Sequence, residues 1–156
     1  MKIISSNLLD NVSAQAAANQ RLRMNYNLHD DTNEPVNRLL NAMEPGTYIR
    51  PHRHTDPPKH EGIIVLRGEI AVYTFNDNGE ILQQCILNPD KGMYGIDLMP
   101  HEWHSFLVLQ TGTVVYEVKT GPYVPIAETD WGAWSPEPSD QQAVNEYMMM
   151  LKSKLG

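Results

Sequence analysis

The sequence predicts an all-β protein, an antiparallel sandwich or barrel with a short helix at each end. Three observations predict it. About eight short apolar runs follow one another between residues 38 and 119. Turn signals built from Gly, Pro, Asn and Asp separate them, and helical periodicity is confined to the two ends of the chain. The length of 156 residues suits a single domain over 1–156, with an N-terminal helix about 5–20, a barrel about 36–120, and a C-terminal wrap and helix over 121–156.

In order along the chain, SNLLDNVSAQAAANQRL reads as a helix. Ser5 or Ser6 is its cap, and Leu8, Leu9, Val12 and Ala16 lie on one face. Residues 25–36 are rich in turn formers and read as loop. RLLNAM (38–43) reads as a strand, followed by the turn EPGT. YIRPHRH (48–54) reads as a strand at an edge or bulge, because Pro51 has no N–H to donate to a ladder. EGIIVL (61–66), EIAVYTF (69–75) and EILQQCIL (80–87) are strands, the last two joined by the hairpin signal Asn76-Asp77-Asn78-Gly79. After the turn NPDKG come YGIDLM, HSFLVL and TVVYEVK. Residues 121–137 hold prolines and two tryptophans and are expected to wrap across the barrel. SDQQAVNEYMMMLKSKL (139–155) is a helix capped by Ser139, with Met148 to Met150 in packing roles. IIVL is apolar on both faces, so its outer face is expected to be covered by a terminal segment or a second subunit.

Composition excludes several classes. No apolar run has the length of a membrane span, and the N-terminus lacks a signal-peptide pattern, which makes the cytoplasm the expected location. Cys85 is the only cysteine, in keeping with a reducing compartment, and reads as a small core residue. A net charge of −7 with no basic stretch argues against nucleic acid as a partner.

The chemistry concentrates in GTYIRPHRHTDPPKHEGIIVLRG, Gly46 to Gly68. Alternate residues of a strand share a face, so His52 and His54 project together about 7 Å apart. Glu61 opens the next strand beside them, and His104 at the head of SFLVL is a fourth candidate. Three imidazoles and a carboxylate suit one divalent transition metal: Fe, Zn, Mn, Ni, Co or Cu. They do not suit Ca or Mg, which take oxygen shells. His60 alternates away from the pair, and His29 and His101 read as surface residues.

The spacing from Gly46 through His52-Arg53-His54 and Glu61 to Gly68 resembles the first motif of the cupin superfamily. MPHEWH (99–104) resembles the second. HRHTDPPKHE, IVLRG, Trp103-His104, EVKTGPY and the opening MKII resemble in particular the WbuC-type cupin-fold metalloproteins found with bacterial surface-polysaccharide genes. The resemblance implies a double-stranded β-helix (a jelly-roll barrel), a metal held by His52, His54, Glu61 and His104, and a homodimer. Two departures stand out. The gap between His54 and Glu61 exceeds the three or four residues common in cupins, and His101 occupies the place of the usual Gly in the second motif.

Strand parity adds candidate ligand contacts. Arg50 and Tyr48 turn inward with His52. Phe106 and Val108 follow His104, with Glu102 at the rim. Val115, Glu117 and Lys119 share one face, which either lines the cavity or forms a solvated stripe. Arg50 suits a carboxylate or phosphate, and Tyr48 or Tyr123 a sugar hydroxyl. Glu117, Glu102 and Tyr48 are the candidate general bases. Three functions accommodate such a centre. One is a metal-dependent isomerase, epimerase or oxygenase acting on a sugar or nucleotide-sugar. Another is a non-catalytic, metal-loaded carbohydrate-binding or sensing module. The third is a structural metal, which fills every position with protein atoms and leaves no cavity.

Overall fold

A computed structural model describes residues 1–155. Helix α1 (Ser6–Ala18) is capped by Ser5, whose side chain accepts from the Leu8 N–H. Eight strands follow: β1 (Arg23–Asn27), β2 (Val36–Met43), β3 (Glu61–Arg67), β4 (Ile70–Phe75), β5 (Ile81–Leu87), β6 (Gly95–Leu98), β7 (Trp103–Val108) and β8 (Thr113–Thr120). Helix α2 (Gln141–Ser153) closes the chain. All strand pairs are antiparallel. They form a five-stranded sheet in the order β1-β2-β8-β3-β6 and a three-stranded sheet in the order β5-β4-β7, the two halves of a jelly roll.

The core between the sheets comes from inward-facing positions of both: Met43, Ile63, Val65, Val115 and Leu98 against Ile70, Val72, Leu87, Phe106 and Val108. Helix α1 covers the outer face of the larger sheet over β1, β2 and β8. Val12 and Ala16 pack on Leu40, Ala42 and Val114, with Leu66 and Tyr116 beside them. The expectation for IIVL is thus met by a terminal segment at Leu66, while Ile64 stays 45% exposed. Helix α2 places Leu151 against the outer face of the smaller sheet, where Tyr73 donates to the Leu151 carbonyl.

Five local expectations are corrected. Residues 48–54 form no strand. With Pro51 lacking a donor, the segment is tied to the barrel by an isolated bridge, His52 with His104. The first three residues of the expected loop 25–36 belong instead to the edge strand β1, Arg23–Asn27. Its register against β2 overrides weak local propensity. Asp140 rather than Ser139 caps α2, accepting from the Ala143 N–H. Met149 is 63% exposed and Met150 39%, and only Met148 joins the packing. His29 is buried, its ring nitrogen 2.8 Å from the Arg38 carbonyl.

Gly68 turns β3 into β4 with φ +88°, and a Cβ there meets Thr113 Oγ1 at 2.2 Å and Thr113 Cα at 2.7 Å. Gly68→Ala combines left-handed strain with a backbone clash. It is expected to destabilise the protein by about 3 kcal/mol in urea denaturation.

Candidate metal centre

His52, His54, Glu61 and His104 come together although 52 residues separate the first from the last. All four are buried, and one ligand atom from each lies within 4.8 Å of the others. They arrive from three parts of the framework. Glu61 begins β3 in the larger sheet, His104 sits on β7 in the smaller one, and the two other histidines come from the loop between β2 and β3. That loop is fastened from both sides. His52 and His104 exchange backbone hydrogen bonds of 3.1 and 2.9 Å. From the C-terminal wrap, buried Asp130 accepts from the Thr55 N–H, the Thr55 hydroxyl and Arg53 Nε. Trp131 lies against the His52 ring with centroids 5.6 Å apart. Neither Asp130 nor Trp131 carries a local sequence signal for this role, since their partners lie more than 70 residues upstream.

The second motif resolves its own departure. His101 adopts φ +72°, the left-handed conformation that a glycine would supply, and His104 still points into the cluster.

The tautomers are set by the backbone. His52 Nδ1 lies 2.9 Å from the Arg50 carbonyl, and His104 Nδ1 lies 2.9 Å from the Glu102 carbonyl. Each Nδ1–H donates outward, which leaves the Nε2 lone pair facing the centre. His104 Nε2 is buried with no hydrogen-bond partner among the described residues, and burying such an atom is costly unless something binds it. His54 Nε2 lies 3.2 Å and His104 Nε2 3.7 Å from Glu61 Oε2. Ligands each about 2.1 Å from one ion stand roughly 3.0–3.4 Å apart at neighbouring positions, so this donor set fits a transition metal.

Charge around the cluster is organised by Lys119, whose Nζ lies 2.9 Å from Glu61 Oε2 and 3.1 Å from Glu117 Oε1. Burial opposes its charge, but Glu117 and Glu61 outweigh that and hold its pKa above the ordinary lysine range. Burial also pushes the Glu61 carboxyl up. The Lys119 charge first, then the neighbouring His104 and His54 imidazoles, prevail and hold it well below its usual value. Glu117 goes the other way, raised by burial and then by the Glu61 charge. Burial, reinforced by His104, holds the His52 imidazole well below 6.5, and burial also lowers that of His54.

These shifts set an acid limit. Below pH 6.5 the unfolded chain takes up protons at two histidines that the folded chain refuses. The stability they contribute is therefore present above pH 6.5 and is lost as pH falls, by up to about 1.4 kcal/mol per pH unit for each. Glu61, also depressed, adds a further loss below pH 4.5. Calorimetric melting of chelated protein is expected to show a falling Tm from pH 7 to pH 5.

A cavity of about 1030 Å³ opens onto the cluster, lined by His52, Glu61, Glu117 and Lys119 among others. Tyr48 and Arg50 line it too, although Arg50 is paired with Glu137 at 2.8 Å and the Tyr48 hydroxyl donates to the Pro136 carbonyl. Glu117 and Lys119 therefore face the cavity and form no solvated stripe. Two expectations fail here. Tyr123 is 61% exposed and not part of the cavity wall. Glu102 accepts from the Met99 N–H and faces a separate recess of about 150 Å³ beside Cys85. His60 and His101 are exposed, as expected.

Fold and site together define a cupin-type jelly roll whose buried His/Glu group has the character of a metal centre. The solved structures bear this out for the fold. The cupin 2 domain-containing protein from Halorhodospira halophila superposes with a TM-score of 0.55 at 15% identity, covering 86% of this chain and 83% of that one. TT1209 from Thermus thermophilus gives 0.55 at 16% identity, covering 77% and 97%. KdgF from Halomonas sp. gives 0.52 at 14% identity, covering 65% and 82%. No curated protein matches the chain. The chain belongs to the family described as Domain of unknown function (DUF6016), whose model matches residues 4–87.

Proposed function

We propose that this protein is a metal-dependent cupin acting on a small polar metabolite, a sugar or nucleotide-sugar of surface-polysaccharide biosynthesis. The resemblance to WbuC-type proteins supports the substrate class. One observation carries the metal-dependent part: three imidazoles and a carboxylate, two rings with Nδ1 engaged by the backbone, converge at the wall of a cavity large enough for a metabolite. A purely structural ion has no need of that cavity.

His52, His54, Glu61 and His104 would hold the ion, which when bound polarises a carbonyl or hydroxyl or acidifies a water. The chain's own groups do the rest. Lys119 fixes the Glu61 carboxylate and holds Glu117 beside it. The Glu117 carboxyl, with its raised pKa, is the group placed to accept or return a proton from a cavity ligand. Trp131 and Phe106 supply apolar wall that limits water. The reading places the protein in the cytoplasm as a homodimer joined through the face where Ile64 is exposed.

Elemental analysis of protein purified without added metal tests the first part, with about one transition-metal ion per chain expected. Thermal shift against a panel of nucleotide-sugars, with and without chelator, tests the second. A rise that chelation abolishes supports the reading, and no response to any sugar overturns the substrate class. Binding without turnover identifies a carbohydrate-sensing module instead. Light scattering checks the dimer.

A further inference from the structure

Four of the six arginines hold a carboxylate: Arg38 with Glu34, Arg50 with Glu137, Arg53 with Asp77 and Asp130, and Arg67 with Asp10. Among the described residues Arg21 and Arg23 hold none, and both line the large cavity. Arg23 is half-buried, and its Nη1 donates to the Tyr48 carbonyl at 2.6 Å. Burial and the neighbouring Arg21 charge both work against its positive charge. A half-buried guanidinium with no counter-ion leaves most of its planar donor fork free for an anion.

A second observation lies between this arginine and the His/Glu cluster. Asn41 also lines the cavity, and its Oδ1 is buried with no donor among the described residues. Such an acceptor is costly to leave unmet, and a ligand hydroxyl or N–H would satisfy it.

Register fixes the distances. Arg23 pairs with Met43, which pairs with Thr113, while Glu61 pairs with Lys119 at the other end of β8. Asn41 pairs with Val115 between them. The six steps from Thr113 to Lys119 cover about 20 Å of strand, of which the arginine side chain spans roughly a third. Arg23 and Glu61 also lie three strand spacings of about 4.8 Å apart across the sheet, so a ligand touching both ends is elongated, roughly 15 Å or more long.

We propose that the end of the cavity remote from the His/Glu cluster is an anion site. Arg23, with Arg21 beside it, takes a phosphate or carboxylate of an elongated ligand. Asn41 Oδ1 accepts a hydrogen bond from the ligand's middle, and its other end reaches the cluster. Only that reach to the cluster rests on the metal-centre reading.

Calorimetric titration of the full chain at low salt, both chelated and metal-loaded, tests this with UDP-glucose, glucose 1-phosphate, glucuronate and uncharged glucose. Anionic probes are expected to bind chelated protein with glucose silent, and the ratio of phosphate to carboxylate affinities identifies the anion. Arg23→Gln is expected to weaken the anionic probes about tenfold or more while metal content is unchanged. Arg23→Lys retains part of the affinity, and Arg21→Gln gives a smaller loss in a background that does not touch the Tyr48 hydrogen bond. Anionic binding insensitive to both Gln variants overturns the proposal. So does equal binding of glucose, or no anionic binding at millimolar concentration. Anion binding in protein that holds no metal leaves the site standing and removes the metal-centre reading, so the two failures are separable.

Discussion

His104→Ala is expected to lower metal affinity by about two to three decades. Binding energies of about 10–16 kcal/mol for four-ligand sites correspond to roughly 2.5–4 kcal/mol per ligand. His104 is also the best buttressed of the four. It is buried, it exchanges backbone hydrogen bonds with His52, and its Nε2 meets no other partner. Competition with a chromophoric chelator measures the loss. The same variant separates metal from fold. In the parent, an ion present at a hundredfold excess over its dissociation constant adds about 2.7 kcal/mol, a Tm rise of roughly 5–10 °C. The variant is expected to lack that rise while its circular dichroism stays β-rich. An unchanged metal response would show that the four side chains do not act as one site.

Lys119→Met is the second large effect. It removes the cation between Glu61 and Glu117, and both carboxylates are buried. Breaking a buried ion pair by removing one partner costs about 3–5 kcal/mol, because the charge left behind has neither water nor counter-ion. The chelated variant is expected to lose that amount in urea denaturation. A bound divalent ion supplies a replacement charge beside Glu61, so metal is expected to restore more stability to the variant than to the parent. Equal metal responses in the two proteins would detach Lys119 from the centre.

The strands with apolar cores were legible because period and turn chemistry agreed. Ile70–Phe75 and Ile81–Leu87 flank Asn76–Gly79 as the residues themselves suggest. Arg23–Asn27 was not legible. It is rich in asparagine and begins with an arginine, and it becomes a strand only because β2 offers an open edge. The histidine ligand set was visible through its spacing. Strand alternation is nevertheless not what brings His52 and His54 together: the segment is no strand, and backbone bridging plus Asp130 hold it in place. Lys119 was readable as a parity position but not as the hub of a charge network, because a cation among apolar residues looks the same on a wet face. Arg23 and Asn41 gave no signal at all, since what marks them is the lack of a partner in three dimensions.

The reciprocal pair of main-chain bonds between His52 and His104 has a bearing on ion exchange. Two of the donors are laced together by amides that no chelator can remove. If the four side chains hold an ion as proposed, the cage is expected to persist when emptied, the entropy of gathering distant segments being met during folding and not at each loading event. A vacant scaffold of this kind can release one cation and accept another without unravelling. The occupant then follows from relative supply and intrinsic ligand preference. Sequential dialysis of one sample against different divalent salts should cycle it through several loaded forms with its secondary structure intact.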